Sequence, residues 1–165
     1  MLFSLSFDGV ARVLRSALPE HGVFHVVSRG VSESAIYRDD ADHKTFPTIL
    51  GSVVVKWDWS CHAYCLMTTH YHAIVEAEQR DLSRGMHMLN GRYARYFNDR
   101  HNRHGHLFGD RYGVYVIEED EHLEASCNYV LDNPVRAALC ATREDWPWSA
   151  LVSGSGTRPW PGARP

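Results

Sequence analysis

Along this chain the spacing of apolar residues switches between every second position and every third or fourth, and the switches mark out its elements. "GVFHVVSRG" (22–30) is β-branched and bounded by glycines, which predicts a strand over residues 23–29. "DDADHKTFPTILGSVVVKW" opens with aspartates suited to a helix start and sets Phe46, Ile49, Leu50 and Val53 at helical spacing, with Pro47 and Gly51 counting against the helix. "SCHAYCLM" and "YHAIVEA" are apolar alternating runs joined by Thr68 and Thr69, which reads as a hairpin. Residues 82–100, "LSRGMHMLNGRYARYFNDR", place Met86, Leu89, Tyr93, Tyr96 and Phe97 along one helical face and arginines on the other. After the loop "HNRHGHLFGD", "YGVYVIEE" predicts a last strand. Asp120 is then suited to cap a helix through "EHLEASCNYVLDN", which Asn133-Pro134 is expected to end. The order β-α-β-β-α-β-α predicts an α+β, ferredoxin-like antiparallel sheet with helices on one face and an additional C-terminal helix that carries Tyr129.

A chain of 165 residues, 44% of them hydrophobic, can bury one sizeable core. The expected organisation is a leader over 1–21, one domain over 22–150 and a flexible Gly-, Pro- and Ser-rich tail over 151–165, without internal repeats. The opening residues lack the basic start of a secretory signal, and no apolar run is long enough to span a bilayer. Cys61, Cys65, Cys127 and Cys140 read as free thiols in a chain that can fold without staples, and the expected compartment is the cytoplasm. A net charge of -3 does not advertise a nucleic-acid binder, so any DNA contact is local. It has a place to be local. Residues 81–112 hold six arginines (Arg84, Arg92, Arg95, Arg100, Arg103, Arg111) against three aspartates, so this window carries +3 and the remainder -6. Interleaved Tyr93, Tyr96, His101, His104 and His106 are candidates to stack on unpaired bases.

Chemistry concentrates in "LMTTHYHAIVE". On a strand, His70 and His72 share a face while Tyr71 points to the opposite layer. Two neutral imidazoles suit a divalent metal but need a third ligand from elsewhere. Tyr129 and Asn133 lie one helical turn apart on one face, a phenol beside an amide oxygen. Each has an ordinary alternative: Tyr129 as a half-buried aromatic, Asn133 as a helix C-cap before proline, and Tyr93 or Tyr96 as rival nucleophiles. Cys61 and Cys65 with nearby histidines suggest zinc, against the simpler reading that they fill the core.

These segments, "YCLMTTHYHAIVE", "LNGRYARYFNDRH", "GHLFGDRY" and "YVLDNPVRAAL", resemble in order and spacing the single-tyrosine HUH transposases, the insertion-sequence and REP-associated tyrosine transposases. The resemblance runs from about residue 22 to residue 150. It implies an endonuclease and strand transferase acting on single-stranded DNA that folds into hairpins, with a 5′-phosphotyrosine intermediate. His70 and His72 match the family's metal pair, Tyr129 its nucleophile and Asn133 a third ligand supplied by some members; the implied ion is Mg²⁺ or Mn²⁺. Insertion-sequence members are commonly dimers and REP-associated members act as monomers, so a homodimer is one expectation. The chain departs from the family at Thr68-Thr69, where Pro-Asn is frequent, and at Phe108-Gly109-Asp110, where an aromatic, Gln and Gly are; these bear on DNA contacts more than on chemistry. A DNA-hairpin binding protein without catalysis, and a phosphodiesterase using the histidines alone, are the competing functions.

Overall fold

The structure is a computed structural model that describes residues 17–118 and 120–152. Expectations for the start of the leader and for the tail beyond residue 152 lie outside the described residues. Strand β1 (His21–Arg29) leads to helix α1 (Asp40–Lys56), then to the hairpin of β2 (Ser60–Leu66) and β3 (His70–Glu78). Helix α2 (Gln79–Arg100), strand β4 (Gly113–Ile117), helix α3 (Asp120–Arg136) and a short β5 (Ser149–Leu151) follow. The strands form one antiparallel sheet in the order β4-β1-β3-β2-β5, the ferredoxin-like arrangement extended by β5 at one edge.

Local chemistry explains the helix boundaries. The Asp39 carboxylate caps α1 by accepting from the backbone N–H of Ala41 and Asp42, at 3.0 and 3.2 Å. Pro47 and Gly51 are both buried inside this helix, which runs through them. Helix α2 begins directly after β3, three residues earlier than its apolar stripe suggests.

One finding completes the sequence reading and a second corrects it. First, the additional helix covers the face of the sheet opposite the other two. Helices α1 and α2 pack one face through Phe46, Leu50, Leu82, Met86, Leu89, Tyr93 and Phe97, against Phe24, Tyr71 and Val75. Helix α3 packs the other, with Cys127 and Val130 against Ala63, Cys65, Met67 and Ile74. Second, Asn133-Pro134 does not end α3, which continues to Arg136. Proline cannot donate to the Val130 carbonyl. Instead the Asn133 side chain turns back, its Nδ2 donating to the Tyr129 carbonyl at 2.9 Å and approaching that of Val130 at 3.4 Å. Asn133 is therefore not a terminal cap. The chain leaves the helix only at Ala138, whose φ of 54° is left-handed.

Strand β2 carries a bulge between Cys61 and Ala63. The extra residue reverses the alternation, so Cys61 faces the α1/α2 core while Cys65 faces α3. The two thiols cannot share one zinc ion, and they fill the core on opposite sides of the sheet.

Candidate active site

Alternation along β3 sends Tyr71, Ala73 and Val75 into the α1/α2 core and leaves His70 and His72 on the face that α3 covers. The histidine rings lie edge to face with centroids 5.0 Å apart. Tyr71, between them, is fully buried, and its hydroxyl donates to Asn90 Oδ1 at 2.6 Å. The Asn90 amide in turn donates to Ser28 Oγ at 2.9 Å, so the polar tip in this core is satisfied.

His70, His72, Tyr129 and Asn133 line one cavity of about 1060 Å³, together with Arg29 and Arg136. The turn that holds the pair is pinned by Gly30, whose N–H donates to the Thr69 carbonyl at 2.8 Å. A Cβ at Gly30 would overlap the Ser34 carbonyl, which explains the glycine there. His70 Nδ1 lies 3.1 Å from Thr69 Oγ1. His72 is only 5% exposed; its Nδ1 bonds His25 Nε2 at 2.9 Å, and its Nε2 is buried with no hydrogen-bond partner among the described residues. Burial, helped by the nearby His25, His70 and Arg29, holds the His72 imidazole well below its ordinary pKa. Burial pushes His25 down to about 4. Both are neutral at physiological pH and keep lone pairs.

This donor set fits a divalent ion. It offers two adjacent neutral imidazoles from β3, one with an unpartnered buried nitrogen, and an amide oxygen from α3. No group of three His, Cys, Asp or Glu with metal-holding geometry occurs among the described residues. Donation by Asn133 Nδ2 to the helix backbone leaves Oδ1 as that side chain's available donor.

Three neighbours escaped the sequence reading. His25 reaches His72, and its ring lies 6.4 Å from that of Tyr129. Arg136 sets its guanidinium 4.8 Å from the centre of the Tyr129 ring, a cation–π contact between residues two helical turns apart. Arg29 pairs in register with His70 across β1 and β3. Helical spacing could have found Arg136; the other two depend on strand register.

The arginine window divides. Arg84, Arg92 and Arg111 line a second groove with Trp57, His87 and Tyr112, and Asp110 and Arg111 border both this groove and the histidine cavity. Arg84 lies 3.7 Å from Asp81, and Arg92 donates to Ser52 Oγ at 3.1 Å. Arg95 is exposed on α2. Arg103 donates to Asn98 Oδ1 at 3.2 Å and lies over Phe97. Arg100 is committed elsewhere, to Asp39 and buried Asp42 at 2.8 and 3.0 Å. Tyr96 packs against the α1/α2 core. Tyr93 is fully buried there and donates to the Ile36 carbonyl at 2.6 Å, which removes it both as a base-stacking surface and as a rival nucleophile. His101 is likewise held, 2.8 Å from Asp42.

Comparison with solved structures finds the same fold in the structure of a REP-associated tyrosine transposase bound to a REP hairpin. The TM-score is 0.67 at 16% identity, over 85% of this chain and 82% of that one. A protein of Deinococcus radiodurans R1 provisionally classed as a transposase matches with a TM-score of 0.50 at 18% identity, over 71% of this chain and 93% of that one. Among curated proteins none matches. The family described as IS200-like transposase matches residues 20–133, a span that takes in the whole ferredoxin-like sheet, the histidine pair, Tyr129 and Asn133, and this chain belongs to that family.

Proposed function

We propose that this transposase is a metal-dependent endonuclease and strand transferase of hairpin-bearing single-stranded DNA, working through a 5′-phosphotyrosine on Tyr129. The observation that carries the reading is the meeting of His70, His72, Tyr129 and Asn133 around one cavity. All four belong to one chain, so the reading takes one chain as the catalytic unit. The neighbouring structure that holds a REP hairpin supports hairpin DNA as the substrate class.

His70, His72 and Asn133 would hold Mg²⁺ or Mn²⁺, which when bound would draw charge from a non-bridging oxygen of the scissile phosphate. Tyr129 Oη attacks phosphorus as its proton passes to water or a base. The Oη–P bond forms, the P–O3′ bond breaks, and the departing oxygen takes a proton to become a 3′-OH. The phosphotyrosyl bond conserves the energy of the cleaved linkage, so attack by a 3′-OH reverses the step and joins strands without ATP. Arg136, stacked on the Tyr129 ring, holds positive charge beside the phenol as it loses its proton. The groove of Arg84, Arg92 and Arg111 receives the hairpin and leads past Arg111 to the histidines.

The test is a denaturing gel of the protein with labelled hairpin DNA and Mn²⁺. A heat-stable protein–DNA adduct is expected from wild type and from neither Tyr129→Phe nor His70→Ala. Cleavage that survives in Tyr129→Phe overturns the reading. A band shift on a native gel with no adduct from wild type favours a hairpin-binding protein without catalysis.

A further inference from the structure

The hydrogen bond between His25 Nε2 and His72 Nδ1 joins two buried imidazoles from different strands, β1 and β3, at 2.9 Å. It has one proton and two possible owners. Only with that proton on His72 Nδ1 does His72 Nε2, the buried nitrogen without a partner among the described residues, present a lone pair. An imidazole that ligates a metal through one nitrogen characteristically donates its other N–H to a fixed acceptor, which sets tautomer and ring orientation.

His25 is suited to be that acceptor. It is fully buried at the centre of β1, a strand paired on both sides, so its ring has little freedom to move. Tyr115 and Tyr129 pack against it, at 5.7 and 6.4 Å between centroids. We infer that His25 is a positioning residue: its Nε2 accepts a hydrogen bond from His72 Nδ1–H and so holds the Nε2 lone pair of His72 ready for a divalent ion, and its ring braces that of Tyr129 against the same site. This role rests on the reading of His72 as a metal ligand.

Two readouts on the full chain, neither needing DNA cleavage, test it. In the first, long-range ¹H–¹⁵N spectra of metal-free protein labelled at histidine report the tautomer of His72, assigned by its loss in His72→Gln. Wild type should show Nδ1–H with a bare Nε2, and His25→Phe should lose that signature. In the second, Mn²⁺ titration should weaken about 10- to 100-fold in His25→Phe. His25→Gln, which restores an oxygen acceptor, should recover most of the affinity. Thermal unfolding confirms that each variant is folded, and the glutamine variant keeps the test open if phenylalanine is not accommodated. Wild-type His72 carrying its proton on Nε2 overturns the inference, and so does equal Mn²⁺ affinity in wild type and His25→Phe. Wild type that binds no Mn²⁺ although His72 shows Nδ1–H removes the metal site itself and this role with it, a failure distinguishable from the other two.

Discussion

Tyr71 shows how one residue in the histidine pair serves a different layer. Its neighbours face the cavity, while its own ring packs on Phe46 and its hydroxyl bonds Asn90. Tyr71→Phe should cost about 1 kcal/mol in urea unfolding, because Asn90 Oδ1 loses its donor, and should leave Mn²⁺ affinity unchanged. The intermediate position of the motif is thus read correctly as bulky and core-facing, but nothing local identifies Asn90 as its partner 19 residues away. Gly85 is a second case. A Cβ there would overlap the Trp59 ring, so Gly85→Ala should destabilise by about 1 to 3 kcal/mol through forced displacement of the indole, despite alanine's better helix propensity. A rise in the unfolding midpoint would contradict this.

At the scale of elements, a charged clamp ties the start of α1 to the end of α2. Asp42 is fully buried and accepts from the Arg38 N–H at 2.8 Å as well as pairing with Arg100 and His101. Removing one member of a buried ionic cluster costs about 3 to 5 kcal/mol. Arg100 keeps partial access to water, so Asp42→Ala should fall near the lower end, as read by chemical denaturation. A weaker device ties the far end of β1 to β3. His21 lies 3.0 Å from Glu76, and this hydrogen bond raises the His21 pKa above 6.5 and lowers that of Glu76 below 4.5. The raised histidine stabilises the fold at low pH, and its contribution is lost as pH rises through its folded pKa. The lowered carboxylate contributes above its unfolded value and loses its effect as pH falls through its folded pKa. Both act together between about 4.5 and 6.5. More than half of the His21 side chain is exposed, so the effect is at most about 1 kcal/mol. Glu76→Gln should lower the melting temperature at pH 5.5 and do so less at pH 8.5; equal losses would assign Glu76 a role independent of charge.

For the whole molecule, the +3 window within a net -3 chain matters where its arginines line a groove rather than a buried acid cluster. Replacing Arg84, Arg92 and Arg111 together with alanine should weaken hairpin binding and flatten its salt dependence, by about 0.7 to 0.9 in log–log slope for each phosphate no longer neutralised. Arg100→Ala should leave that slope unchanged and lower the unfolding midpoint instead, since its partners are Asp39 and Asp42. Among the described residues no helix is long and apolar enough to cross a membrane.

The order of strands and helices from β1 to α3, though not β5, the shared face of His70 and His72, and the one-turn spacing of Tyr129 and Asn133 were legible in the unfolded chain. They follow from periods of two and 3.6 residues that a linear sequence displays directly. The rest required the assembled fold: that α3 covers the face opposite α1 and α2, that the bulge after Cys61 separates it from Cys65, and that Arg100 is drawn into a buried acid cluster. The meeting of His72 with His25, 47 residues earlier, belongs with these. Local periodicity says which way a side chain points from its own strand. What it points at depends on register and layer packing, which long-range burial and hydrogen bonding settle only once the sheet is assembled.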